Sequence, residues 1–312
     1  MSDKYTPKGV ANAGWQRLQL GTFELSVISD GPMPMLPDAG FDSAPKAEIE
    51  GLLAENFLPT DQLMLGMNCL VVNTGKKLVL IDTGMGDSLA ESHMFGPSTS
   101  HMHDNLRAAG FDPADIDLVV LTHAHADHSW ALTDREGNAM FPNAELALAE
   151  EEFTFWTNPD NQGQNPFVDL MVKGAIRNLL PYRDRLIMAR DGHEICAGIT
   201  AHASPGHSIG HSCIRISSDG QDLIHLGDLA HHHVLALAHP EWPISYDINP
   251  EQAVQSRLRI LDMIAAEGTQ VMGYHFPWPG VGNIRRKGAA YEFVPGNMPS
   301  RFDMMKLAAG TR

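Results

Sequence analysis

The segment Thr122-His123-Ala124-His125-Ala126-Asp127-His128 places four metal-ligating side chains within six residues, directly after the apolar run DLVVL at 117–121. That run reads as a continuous buried strand. Residues two apart on an extended chain share a face, so His123 and His125 can converge on one ion. The turn that follows can swing Asp127 and His128 toward a second. Imidazole and carboxylate together favour zinc or a similar borderline first-row metal. The plain alternative, a solvated His-rich loop, requires none of this spacing.

Three later segments each carry a ligand at the end of an expected strand: His207 in SPGHSIGH, Asp228 in LIHLGDL and His275 in VMGYHFPWPG. Strand ends on one edge of a sheet sandwich can converge in space. Seven residues, His123, His125, Asp127, His128, His207, Asp228 and His275, can then be shared between two ions, with Asp228 bridging and room left for one bridging water. The expected cofactor is two divalent transition-metal ions, with Zn2+ the first candidate. Asp127 doubles as the candidate catalytic base, because a carboxylate beside the ions can accept the proton of an attacking water.

The surrounding chain reads as alternating β and α segments. Residues 18–30 and 69–82 suit hairpins turned at Gly21 and at Asn73-Thr74-Gly75. Helices are expected near 46–55, 104–110, 150–156 and 168–180, and Asn249-Pro250 caps another with apolar residues at 254, 258, 261 and 264. Strands are expected at 117–121, 141–149, 212–217, 222–226 and 269–272. The pattern suggests two β-plus-α halves, 18–121 and 139–275, within a single domain over 18–312 that follows an N-terminal arm of residues 1–17. With 43% hydrophobic residues in 312, such a domain can bury its core without disulfides, and Cys69, Cys196 and Cys213 read as small hydrophobes.

A formal charge of −16 would repel phosphate backbones and anionic membranes, so nucleic acid and membrane are not expected partners. The start, MSDKYTPKGVANAGW, has no apolar signal region, and the expected location is the cytoplasm. The metal-bearing loops lack a cationic clamp: no Lys or Arg occurs from 108 to 134, and Arg215 stands alone between 191 and 256. Arg285-Arg286-Lys287 is the one alternative clamp, against its plainer reading as a solvated surface turn. Aromatic residues flank the motifs, and Trp156 and Phe167 are candidate pocket walls for a neutral, hydrophobic small molecule. His231, three residues after Asp228, is a further candidate substrate contact, with a solvated turn over His231-His232-His233 as the alternative.

In this order of motifs the chain resembles the metallo-β-lactamase fold hydrolases. The resemblance matches the seven ligands one by one, and Asp82 in LIDTG matches a strand-end aspartate that supports them. It implies an α/β fold, the αββα four-layer sandwich, with metals at one sheet edge. Over roughly 18–297, through NCLVVNTGKKLVLIDTG, FPNAELALAEEEFTFW and HFPWPGVGNIRRKGAAYEFVP, the chain is similar to methyl parathion hydrolase and its lactonase-like relatives. Two departures leave substrate choice open: Ser129-Trp130 stand where glycines commonly follow the first motif, and His231-His232-His233 replace an apolar stretch. The resemblance implies hydrolysis of neutral esters or lactones, N-acyl homoserine lactones included, with phosphotriesterase activity beside it, and a homodimer. The alternatives are organophosphate hydrolysis as the main activity, an iron-dependent redox enzyme of the same fold, or a non-catalytic metal module.

Overall fold

In a computed structural model, which describes residues 13–96 and 98–297, two seven-stranded sheets stack face to face. The first part of the chain forms β1 (Trp15–Leu20), β2 (Phe23–Ser29), β3 (Met33–Met35), β4 (Leu63–Leu65), β5 (Asn68–Asn73), β6 (Leu78–Ile81), β7 (Leu118–Val120), β8 (Glu145–Ala149) and β9 (Leu186–Ala189). The second forms β10 (Glu194–Cys196), β11 (Ile199–Ala203), β12 (Ser212–Ser218), β13 (Gln221–His225), β14 (Gln270–Met272), β15 (Val281–Lys287) and β16 (Ala290–Pro295). The first sheet has the order β1-β2-β5-β6-β7-β8-β9 and the second runs β10 to β16 in sequence, while β3 and β4 pair as a separate ribbon.

Both faces of the central strands are apolar, which demands a layer on either side. Leu70, Val72, Val79, Ile81, Leu118 and Val120 meet Ile199, Ala201, Ile214 and Ile216 of the opposite sheet in one inner core. Their alternating neighbours Cys69, Val71, Leu80, Val119 and Leu121 point outward, into a core shared with the helices. The outer layers include the helices Lys46–Glu55, Met102–Ala108, Pro166–Leu179 and Pro250–Glu267. The result is the expected αββα sandwich.

The division between the halves differs from the expected one. β8 and β9 add parallel to β7, extending the first sheet to Ala189, so the chain crosses to the second sheet between 189 and 194 and not between 121 and 139. Parallel pairing needs crossover connections but no change of sheet, and apolar runs alone do not say which neighbour a strand joins. β1 opens at Trp15, ahead of residue 18, with Trp15 paired to Ile28. Residues 1–12 of the expected arm, and 298–312, lie outside the described residues. In the helix Pro250–Glu267 the buried residues are Ala253, Ser256, Arg257, Ile260, Leu261 and Ile264, so of the apolar face expected at 254, 258, 261 and 264 the last two are buried while Val254 and Leu258 are half-buried beside Ala253 and Arg257. Arg285-Arg286-Lys287 is part of β15 and not a turn, with Arg285 and Lys287 paired to Glu292 at 2.6 and 2.8 Å.

This topology builds the site. β6, β7, β8 and β9 run parallel in one sheet and β13 and β14 run parallel in the other. The chain leaves β6 into Asp82, β7 into His123, β13 into Asp228 and β14 into His275. Carboxyl ends of parallel strands are where an open α/β sheet leaves a crevice. No described helix is long and apolar enough to cross a membrane.

Candidate metal centre

All seven expected ligands meet at this edge, every one of them buried. His123, His125, His207 and Asp228 bring ligand atoms within 4.8 Å of one another, and so do Asp127, His128 and His275. Asp228 joins the two groups. Its Oδ2 lies 3.2 Å from His207 Nε2 and 3.7 Å from His123 Nε2, while its Oδ1 lies 3.0 Å from His128 Nε2 and 3.3 Å from His275 Nε2. Asp127 Oδ2 stands 3.5 Å from His128 Nε2 and 3.4 Å from His275 Nε2. His125 Nδ1 lies 3.0 Å from His207 Nε2.

The local backbone makes this convergence possible. Gly227 adopts φ +51°, and a Cβ there would lie 2.6 Å from His211 Nε2, so Asp228 can approach only behind a glycine. Asp82 takes φ +55°, a conformation rare for a side-chain-bearing residue. It is held there by Thr122 N and Thr122 Oγ1, which donate to it at 2.8 and 2.9 Å, and by His128 Nδ1 at 2.8 Å. Asp82 thus supports the expected ligand His128 from behind, the place the resemblance gave it. His275 Nδ1 donates to Gly66 O at 2.8 Å, which leaves Nε2 facing the cluster.

The donor set fits cations. His123 Nε2, His128 Nε2 and Asp228 Oδ1 are buried with no hydrogen-bond partner, although burying such atoms unpaired costs about 1–3 kcal/mol each. Imidazole nitrogens and a carboxylate oxygen that converge at 3.0–3.7 Å are what divalent ions, by displacing any imidazole proton, would satisfy. Charge agrees. Burial holds His123 and His125 well below the ordinary imidazole range, and therefore neutral. Burial also opposes charge on His128 and His207, yet the carboxylates beside them win. His128 is raised well above the usual value by Asp228, Asp127 and Asp82, and His207 to about 9 by Asp228 and Asp247. Burial resists ionisation of Asp228 as well, but His128, His275 and His231 hold it well below the carboxylate range. The carboxylates draw positive charge into this pocket.

A cavity of about 460 Å³ opens onto the cluster, lined on its metal side by His125, Asp127, His207, Asp228, His231 and His275. Its outer wall includes Met33, Met35, Met94, Phe95, Phe167 and Met171, and no described lining residue is Lys or Arg. Phe167 stands in this wall, its ring 5.5 Å from that of His125. Trp156 does not. It is fully buried, its indole N–H donates to Ser208 Oγ at 2.8 Å, and its ring sits 5.3 Å from His125. The helix Glu150–Trp156 turns this residue inward, and a buried indole N–H needs an acceptor that Ser208, itself bonded to Glu152, provides. His231 and His232 are buried and not in a solvated turn; His232 Nδ1 accepts from Val234 N and Leu235 N.

Sequence reading missed the methionine-rich wall, the buried Glu152 and the pair Asp247–Arg257. Glu152 holds Ala124 N at 2.9 Å and Gly210 N at 2.7 Å, fastening the loops that carry His123, His125 and His207, but in the run Glu150-Glu151-Glu152 nothing local sets it apart. Arg257 did carry a signal, a lone cation four residues from Ala253 and from Leu261 on one helix face.

A four-layer αββα sandwich that gathers a His/Asp cluster at its parallel strand ends defines a class of metal-binding proteins. Residues 65–269 match the metallo-beta-lactamase superfamily, and the chain belongs to that family. AidC, a dizinc quorum-quenching lactonase solved in complex with a product, superposes with a TM-score of 0.85 at 27% identity, over 92% of this chain and 99% of AidC. An N-acyl homoserine lactonase of Bacillus cereus is 23% identical over 179 residues, 53% of this chain and 64% of the relative. Integrator complex subunit 11 of Danio rerio is 24% identical over 174 residues, 53% of this chain and 27% of that protein. The chain thus spans less than two thirds of the length of these two curated relatives.

Proposed function

We propose that the chain is a two-metal hydrolase of neutral, hydrophobic esters or lactones, N-acyl homoserine lactones among them, with phosphotriesters as a side activity. The observation that carries this reading is the opening of the seven-residue cluster onto an apolar cavity with no Lys or Arg among its described lining residues. The dizinc lactonase AidC and the B. cereus lactonase support it.

In this reading His123, His125, His207 and Asp228 hold one divalent ion, and Asp127, His128, His275 and Asp228 the other. Bound there, two such ions would supply Lewis-acid polarisation of an ester carbonyl and make water acidic near neutral pH. The chain's own groups do the rest. Asp127, which borders the cavity, accepts the proton of the attacking water. Phe167, Met35 and Met171 hold the apolar part of the substrate and keep bulk water from it. His231 lies with Nε2 3.0 Å from Asp228 Oδ2, so its N–H can turn toward an oxygen bound beside Asp228. Burial lowers it to about 4, so it acts as a neutral donor.

A panel of N-acyl homoserine lactones, simple lactones, aryl esters and phosphotriesters, assayed on protein of measured metal content, tests the proposal. Lactones and esters should outpace phosphotriesters; phosphotriesters turned over fastest would reverse the assignment, and an iron signal in electron paramagnetic resonance with no hydrolysis would overturn it. Within an acyl series kcat/KM should climb up to roughly fourfold per methylene, from about 0.8 kcal/mol each, until the cavity is filled. A flat series would remove the apolar wall from substrate binding. His231→Leu should lower kcat/KM on lactones and esters by about tenfold, ~1.4 kcal/mol, while sparing phosphotriesters. Equal losses on both classes would leave His231 no role in selectivity.

A further inference from the structure

The ligand His207 lies on the connection from β11 to β12, and that connection is fastened to the start of the helix Pro250–Glu267. Ile248 N donates to His207 O at 3.1 Å and Asn249 N to Gly206 O at 2.8 Å, while Ser256 Oγ donates to Pro205 O at 2.7 Å. Gly206, at φ +132°, permits the contact, since a Cβ there would lie 2.1 Å from Ala253 N. One carboxylate is enclosed in this junction. Asp247 Oδ1 accepts from His207 Nδ1 at 2.9 Å, and Oδ2 accepts from Ile244 N at 3.0 Å. Arg257 Nη2 stands 3.8 Å from the same Oδ2. The Arg257 guanidinium, 2% exposed, also donates to Leu229 O, Pro240 O and Trp242 O at 2.7, 3.0 and 2.6 Å. It therefore ties the segment that follows Asp228 to the carboxylate that holds His207. Neither residue is among the seven ligands or lines the cavity.

We propose that Asp247, backed by Arg257, is the positioning residue of the His123/His125/His207/Asp228 group. It fixes the His207 tautomer and ring plane so that Nε2 faces the ion, and so sets that ion's affinity from outside the ligand set. The inference rests on the reading that these residues hold a divalent ion. The other group has separate supports, Asp82 for His128 and Gly66 O for His275, and serves as an internal control. Asparagine cannot stand in for Asp247. Both carboxylate oxygens accept, whereas an amide has one acceptor oxygen, so either His207 or Ile244 N loses its partner.

Competitive titration of Zn2+ against a chromogenic chelator, on wild type, Asp247→Asn, His207→Ala and the double variant, tests this, with thermal melting of the metal-free proteins alongside. Wild type should bind two equivalents. Asp247→Asn should keep one at wild-type affinity and bind the other at least about tenfold more weakly, and should add no further loss in the His207→Ala background. Arg257→Lys, which keeps the charge but loses the fixed fork of donors, should weaken the same ion to a smaller degree. Both ions weakened equally, an unchanged affinity, or the same tenfold loss without His207 would each overturn the proposal. A wild-type chain that binds no Zn2+ would overturn the metal reading itself.

Discussion

Asp228→Ala should strip the protein of both ions together. Its two oxygens face separate histidine pairs, His207 and His123 on one side and His128 and His275 on the other, so one substitution removes a donor from each group. Metal analysis should fall from two equivalents toward none, whereas His123→Ala should lose one. Hydrolysis should drop by roughly a hundredfold to ten thousandfold, the several kcal/mol that metal polarisation supplies. The fold should persist, because the contacts that seat this turn are made by backbone and glycine: Asp228 N donates to His211 Nε2 at 2.9 Å whatever the side chain. Full activity with one equivalent bound would end the two-metal mechanism.

Asp127→Asn should separate chemistry from binding. Asp127 is the most exposed of the seven candidate ligands, at 8%, and borders the cavity. Its backbone is independently held, since Tyr274 Oη donates to Asp127 O. An amide there can still touch a metal weakly but cannot take a proton from water. We expect kcat to fall by about a hundredfold to ten thousandfold, with KM within a few fold and metal content preserved. An unchanged kcat at full metal occupancy would place the base elsewhere.

Much of the candidate site was legible in the chain because the residues that cluster there obey local rules. The two-residue spacing of His123 and His125 puts both in reach of one point, although the strand ends at Val120, and the short helix Ala126–Ser129 carries Asp127 and His128. Asn249 announced its helix through the side chain that accepts from Gln252 N at 3.1 Å. The errors came where a residue's role depends on what lies opposite. Trp156 looked like a pocket wall because aromatics near a metal motif suit either use, and only the helix orientation turned it behind His125. For His231 the sequence left a substrate contact and a solvated turn both open, because histidine has no strong preference between water and interior, and only the tertiary structure buried it at the cavity wall. The sheet boundary was misplaced because β8 is apolar enough to belong to either layer and β9 was not among the expected strands.

By itself, then, the sequence determined the candidate ligand types, their order, and much of the strands and caps that deliver them, since each follows from period, spacing and local hydrogen bonding. Tertiary structure alone decided which ligands share an oxygen of Asp228, that Asp247 and Arg257 stand behind His207, and that Met33, Met94 and Phe167 form one wall. Asp247 and His207 are forty residues apart in sequence and 2.9 Å apart in space, and no periodicity spans that interval. Their contact is made only when the helix Pro250–Glu267 packs its buried stripe against the second sheet and brings both loops to the same edge.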